Sequence, residues 1–480
     1  MQSIPINFAK NSYQTRGVKN SSQRLLNLYA EINPEDNKTP ICLYGTPGFK
    51  LKYDLETDNP VYGMQQMGDD LFVVCGSDVF NITSGGIITD IGTLTGTPGR
   101  VIMSNNGSQL FILDINGNGW IVSYDSGTLL WELDKITDAA YQLSSSVCFL
   151  DGYFILSKQS SDQFFISNLR DGTTYDALDF ATAEWEPDNL ISVFSFNGQI
   201  VMFGTQTIEF YQDTGSSAFP FQRINGASVE KGCASRGSIA KNANNLLFLG
   251  NDRIVYQLNG YQLSKISTFP IEKEIESYSQ KAIENCFSFV YIQDGHITYI
   301  LSFPDANKTW CYDLTTGLWH ERGSVDIDKY TMLSWNANSY EYFNSLNLVG
   351  DKNSSKIYEL DLDIFTENGT PIISEATSTT LFNNTKRTVL HKFQLDIESG
   401  QGISNGQGIN PKLMMQFSKD GGFTYSSQLW RDIGAKGEYR TRAIWRNIGI
   451  AREIVFKISI SDPIKRVLYQ PFIDIEECEQ

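Results

Sequence analysis

The sequence predicts an all-β protein, a β-propeller of six or seven blades joined to a β-sandwich-like platform that the C-terminal region builds with the N-terminal segment. Three observations predict it. A strand-rich phrase returns along most of the chain, as in MGDDLFVVCGSDVFNI (67–82), NGSQLFILDINGNGWIV (106–122), FNGQIVMFGTQTIEFY (196–211) and FNSLNLVGDKNSSKIYEL (343–360). Measured at Leu71, Leu110, Tyr153, Ile200, Leu246, Ile297 and Leu346, it recurs after 39, 43, 47, 46, 51 and 49 residues. Each copy is a turn pair, a β-branched and aromatic run, a second turn and another apolar run, and hairpins at this period mark propeller blades. Finally, the texture changes near residue 372, where the repeat stops and longer alternating strands begin.

Taken in order, residues 1–60 are broken by Pro34, Pro40, Pro47, Pro60, Gly45 and Gly48 into short extended pieces. They are expected to join the platform, because the chain ends of repeat folds often meet. Residues 61–371 are assigned to the propeller, with room for about four short strands between adjacent marks. Within them only EKEIESYSQKAIENC (272–286) has a helical period, read as a decoration between two blades. Residues 372–480 read as a second all-β unit, with TKRTVLHKFQLDIE (385–398) alternating like a strand and 412–434 forming a hairpin.

The 480 residues are 41% apolar, carry 60 aromatic side chains and have a net charge of −17, so the chain is acidic without being disordered. Residues 411–480 hold 11 Lys or Arg against 9 Asp or Glu, which leaves −19 on residues 1–410. A field of one sign and that size repels polyanions, which argues against tight or sequence-specific DNA binding by the whole surface. Seven scattered cysteines without a C-x-x-C suit buried, reduced thiols. The N-terminus lacks the basic start and apolar core of a secretion signal, and no run of 18 apolar residues occurs, so a soluble chain without membrane insertion is expected.

Chemistry-bearing motifs are few. DINGNGWIVSYD (114–125) imitates half of a calcium loop at Asp114, Asn116, Asn118 and Gly119, but apolar runs flank it, so a hairpin turn is the better account. SKDGGFTY (418–425) resembles the Asp-box, a structural turn in which Asp420 accepts backbone N–H bonds beside Ser418 and Thr424 while Gly422 takes a positive φ. The three histidines, His296, His320 and His391, flank no nucleophile elbow, and no His or Cys pair has zinc-like spacing. No catalytic residue, metal ligand or cofactor is therefore assigned. Arg440, Arg442, Arg446 and Arg452 around Trp445 form the one basic stretch, and Arg and Trp are enriched where proteins meet, so these five are candidates for a subunit or partner interface; a solvated strand surface is the alternative.

Three collinear stretches, SSQRLLNLYAEINPEDNKTPICLYGTPGFKL near the start, SNLRDGTTYDALDFATAEWEPDNLISVFSFNGQIVMFGTQTIEFYQDTG (167–215), and LMMQFSKDGGFTY with the following RDIGAKGEYRTRAIWRNIGIAREIVFKISISDPI, resemble the tail nozzle (hub) proteins of short-tailed bacteriophages, also called packaged-DNA stabilisation proteins. The resemblance implies a non-enzymatic virion protein of the tail, assembled in the host bacterial cytoplasm. It further implies a ring of six copies below the portal and its adaptor ring, contacts with tail fibres or spikes and with a tail needle or plug, and double-stranded DNA retained by the ring and passing along its axis. The competing reading is a propeller that binds or degrades host glycans, supported by the Asp-box-like turn and the aromatic content, and opposed by the single copy of that turn.

Overall fold

Each of the seven marks falls at the first or second position of a strand: Asp70–Cys75, Gln109–Leu113, Tyr153–Lys158, Gln199–Gly204, Asn245–Leu249, His296–Phe303 and Leu346–Asp351. The computed structural model describes all residues except 1, 7, 9, 10, 15, 20, 34–38, 184–187, 217, 218, 384, 385, 479 and 480. Pro34 and residues 184–187 of the central resemblance thus lie outside the described residues. In every case the marked strand is the second in a row of four antiparallel strands, giving seven blades; six are separate four-stranded sheets, and the row containing His296–Phe303 is part of a larger sheet. Blades 1 to 6 span residues 61–93, 102–135, 144–182, 190–229, 240–265 and 287–326, and blade 7 begins at 337.

The marked strands read as unbroken apolar runs because both of their faces are covered by neighbouring blades. Alternation then decides which neighbour each residue meets. Leu71, Val73 and Cys75 pack with Phe343, Leu348 and Ile357 of blade 7. Phe72 and Val74 pack with Leu110 and Ile112 of blade 2. Analogous cores fill the other five gaps, so the ring has seven between-blade cores instead of one centre. Tight two-residue turns set the register inside the blades: Asp151–Gly152, Asn197–Gly198 and Asp294–Gly295 all have φ of +50° or more, the conformation that matches the twist of a hairpin.

Blade 7 is completed from the other end of the sequence. Strand Gly48–Asp54 pairs antiparallel with Lys356–Asp361, as in Leu360 opposite Phe49, so the ring is closed by hydrogen bonds between residues about 300 positions apart. The N-terminal segment is consequently divided, with residues 48–54 in the propeller, strands 2–5, 25–26, 28–32 and 41–45 in the sheets of the sandwich, and 13–14 paired with 22–23 in a small separate ribbon. The helical decoration is two short helices, α1 (Phe269–Glu276) and α2 (Gln280–Glu284), separated where Ser279 caps α2 by accepting the Ala282 N–H. Ile271, Ile275 and Ile283 anchor both between blades 5 and 6. No described helix is long and apolar enough to cross a membrane.

The sandwich packs two sheets over a core that includes Leu390, Phe393, Leu413, Trp445, Phe456 and Ile473, with Ile6, Leu25, Leu28 and Leu43 supplied by the N-terminal segment. One sheet runs 443–451, 388–397, 467–477, 41–45 and 28–32, with 2–5 beside 467–477. The other runs 429–432, 412–418, 453–460 and 374–377, then through Leu25–Leu26 into the outer strand of blade 6, Leu318–Asp326. Propeller and sandwich therefore share one eleven-stranded sheet.

Asn27 sits where the two bodies meet, fully buried and with φ +53°. Its Nδ2 donates to Gly323 O at 2.9 Å and Ile373 O at 2.8 Å, its Oδ1 accepts from Gly323 N at 3.0 Å, and its own N–H donates to Glu321 O. Beside it Arg24 grips Glu321 through two nitrogens, at 3.1 and 2.8 Å, and Lys308 adds a third contact at 2.9 Å. Burial pulls the Glu321 carboxyl upward, yet Arg24 and then Lys308 hold it below its ordinary range. Two buried arginines extend the joint: Arg322 donates to Pro47 O at 2.6 Å, and Arg466 to Ile372 O at 2.8 Å. At its edge His296 of blade 6 bonds Asp313 at 2.7 Å, meets the Tyr29 ring edge-on at 4.9 Å and lies 3.9 Å from Glu31.

Replacing Asn27 by Ala strands two carbonyls and one N–H in a buried seam and puts a Cβ-bearing residue without a compensating side chain at positive φ. Asn27→Ala is expected to destabilise the protein by about 3–5 kcal/mol, read by urea denaturation, with early protease cleavage near residue 27. The His296 pair adds a pH dependence. The Asp313 bond raises His296, a contribution fully present below about pH 6.5 and lost as pH rises through the folded value; Asp313 is depressed, a contribution lost as pH falls below about 4. The melting-point deficit of His296→Gln should accordingly be larger at about pH 5.5 than at about pH 8.5.

Candidate assembly surface

Strand Ala443–Ala451 is the edge of its sheet, and period-two alternation sorts the predicted interface residues. Ala443 and Trp445 point inward. Trp445 is 1% exposed, packs against Phe393 in a tilted contact with centroids 5.6 Å apart and donates to Leu429 O at 2.9 Å. It is a core residue and cannot touch a partner, which corrects its assignment as an interface candidate. Arg446 points outward opposite Lys392, whose ammonium is held by Asp474 at 2.8 Å. Arg440 and Arg442 do not share a strand face; they lie in the loop before the strand, after a turn containing Gly434 and Gly437 at positive φ. Arg452 occupies the turn leading to Glu453–Ile460. All four arginines are exposed, and no ion pair engages them among the described residues.

The same rim exposes aromatic surface that the sequence reading passed over. Trp430 is 48% and Tyr439 71% exposed, and Arg431 between them turns back to donate to Ile444 O at 2.7 Å. Large aromatics beside unpaired guanidinium groups suit a protein partner, since their apolar area and planar donors both gain from exclusion of water.

The Ser418–Thr424 turn is a staple. Asp420 accepts from the N–H groups of Phe423 and Thr424 at 3.0 Å and from Ser418 Oγ at 2.6 Å, with Thr424 Oγ1 bonded to its second oxygen at 2.5 Å. These donors, the two hydroxyls first, hold its carboxyl far below the usual range. Gly422 has φ +104°, and Tyr425 lies under Lys457 at 4.4 Å. Asp114 is engaged in the same way, accepting from Asn116 and Asn118 N–H at 2.8 and 2.9 Å in a hairpin turn. His391 pairs with Glu476 at 2.9 Å, and burial pushes His320 down to about 3. Among the described residues no group of three His, Cys, Asp or Glu could hold a metal.

A closed propeller is thus fused through a shared sheet to a sandwich whose rim exposes arginine and aromatic side chains. The model of the family "Bacteriophage P22 Gp10, beta-propeller" matches residues 2–365, and that of "Bacteriophage P22 Gp10, beta-sandwich" matches residues 375–476. The chain belongs to the bacteriophage P22 Gp10 family. It is 24% identical over 450 residues to the tail hub protein gp10 of Salmonella phage P22, covering 86% of this chain and 87% of that protein. Among solved structures, the computationally designed Ika8 protein (TM-score 0.40, 7% identity) and the WD40 beta propeller domain of Doa1 (TM-score 0.41, 13% identity) each match 65% of this chain, over 100% and 96% of their own lengths. The protein is a structural component of a phage virion tail that assembles with other tail components, and not an enzyme.

Trp445→Ala is expected to cost about 3–5 kcal/mol of stability through the cavity it leaves. Glutamate at Arg440, Arg442 or Arg446 should change stability by no more than about 0.5 kcal/mol each, so denaturation curves separate the core residue from the surface ones.

Proposed function

We propose that six copies of this chain form the tail nozzle ring below the portal and its adaptor ring, retaining packaged double-stranded DNA and conducting it during ejection, after assembly in the host bacterial cytoplasm. The sandwich, with the N-terminal strands that complete it, is the ring-building platform, and the propeller projects from it toward tail fibres or spikes, with a tail needle or plug closing the axis. The observation that carries this reading is the match of both domains, in order, to one family of tail hub proteins. Charge supports it. Residues 1–410 carry −19, so a wall built from them would let DNA slide without adhering, whereas the near-neutral C-terminal unit offers Arg440, Arg442, Arg446 and Arg452 for pairing with carboxylates of neighbours.

The platform assignment is tested on the full-length protein by sedimentation velocity and negative-stain imaging, alone and mixed with the adaptor ring. Six-fold particles with a central hole are expected, and Arg440→Glu with Arg442→Glu and Arg446→Glu should abolish them while leaving the melting point within about 1 °C. A wild-type chain that stays monomeric with the adaptor present, or a triple variant that still forms rings, overturns the proposal.

A further inference from the structure

The axis of the propeller holds a cavity of about 320 Å³ at the end where the innermost strands of blades 2 to 6 begin. Two arginines enter it from opposite parts of the ring. Arg100 comes from the link between blades 1 and 2, and Arg236 from the single 3-10 turn before blade 5. Arg100 is fixed by two bonds to Asn338, Nη1 to the backbone oxygen and Nη2 to Oδ1, both at 2.6 Å, and by its face against the Phe287 ring at 3.7 Å. Arg236 donates from Nη1 to Ser145 O. Every one of these acceptors is neutral, and no carboxylate lines the cavity among the described residues. Burial first, and Arg236 in smaller part, brings Arg100 down to about 10, and burial lowers Arg236 as well. At about 10, Arg100 remains charged at neutral pH. Two guanidinium groups therefore line one partly desolvated space with no carboxylate among its described lining residues, an arrangement that favours an entering anion.

The wall beside them is hydroxyl-rich. Ser104, Ser146, Ser192 and Ser288 line the cavity; Ser146 and Ser192 are bonded to each other at 2.9 Å, Ser146 also reaches Val193 O at 3.2 Å, and Ser288 donates to Gly237 O at 3.0 Å, which leaves Ser104 to face a ligand. Planar guanidinium donors with serine hydroxyls are the usual partners of a tetrahedral oxyanion. We propose that the axial cavity is a binding site for a small phosphate group, held by Arg100 and Arg236 with the Ser104 hydroxyl as an additional donor. A bound phosphate cancels the repulsion between the two arginines and ties the links before blades 2 and 5 across the axis. The site is local. The surrounding chain is strongly acidic, so phosphate has no general affinity for this surface, and saturable binding reports the cavity.

The test is isothermal titration calorimetry of the full-length protein at low ionic strength with sodium phosphate and, separately, with glucose 1-phosphate. About one phosphate per chain is expected, with affinity weakened roughly tenfold or more in Arg236→Gln and partly restored in Arg236→Lys, as loss of a charge-assisted bond requires. Arg100→Met is judged only if its melting point matches wild type, because Arg100 also holds Asn338; Arg236→Gln keeps the proposal testable without it. Tighter binding of the ester assigns the site to a phosphorylated small molecule, and binding of the inorganic ion alone assigns it to free phosphate; either supports the proposal. No saturable heat with either probe, or equal affinity in wild type and Arg236→Gln, overturns it.

Discussion

A single hydrogen-bonded sheet passing from the propeller axis to the far edge of the sandwich is the constraint on which this architecture depends. The first strand of blade 6 lies at the axis, its fourth strand pairs with Leu25–Leu26, and those two residues pair in turn with the first of the sandwich strands. Two residues are a narrow bridge. What makes it stiff is that Asn27, immediately after it, supplies side-chain donors and an acceptor to both bodies, so the bend costs no unpaired polar group. Arg24, Arg322 and Arg466 then lock the same seam through Glu321 and through backbone carbonyls, in bonds that a solvated linker could not keep.

The same region also closes the ring. The N-terminal segment threads the sandwich, crosses the seam, completes blade 7 with Gly48–Asp54 and only then enters blade 1. Loss of either body therefore exposes the other: without the C-terminal strands Leu25, Leu28 and Leu43 lose their core, and without blade 7 the strand 48–54 has no partner.

The blades were legible because their second strands are covered on both faces, and double coverage writes itself as short, turn-bounded apolar runs such as Leu71–Cys75, whose length and recurrence set them apart from a buried helix. The closing strand was not legible. In GFKLKYD the residues Lys50, Leu51 and Lys52 are exposed on an outer blade edge, so its alternation is masked. Neither could Leu25–Leu26 be seen as a bridge, since two residues carry no period. Trp445 was misplaced because it was grouped with arginines near it in sequence; alternation from Ala443 puts it with the core, while glycines at 434 and 437 place Arg440 and Arg442 in a loop. The two arginines that line the axial cavity are separated by 136 positions and reach one space only because the ring closes. The staple at Asp420 and the turn at Asp114 were readable, because short polar side chains bonding their own backbone are a local matter.

Residue-resolved hydrogen exchange of the full-length protein tests the central claim most directly. If one sheet joins the two bodies, the amides of Leu26, Asn27 and Thr377 exchange as slowly as those of the blade 6 strands, with protection lost only on global unfolding. Exchange at those amides as fast as in the exposed loop 436–442, with the blades and sandwich still protected, would show two bodies on a flexible tether and contradict the account.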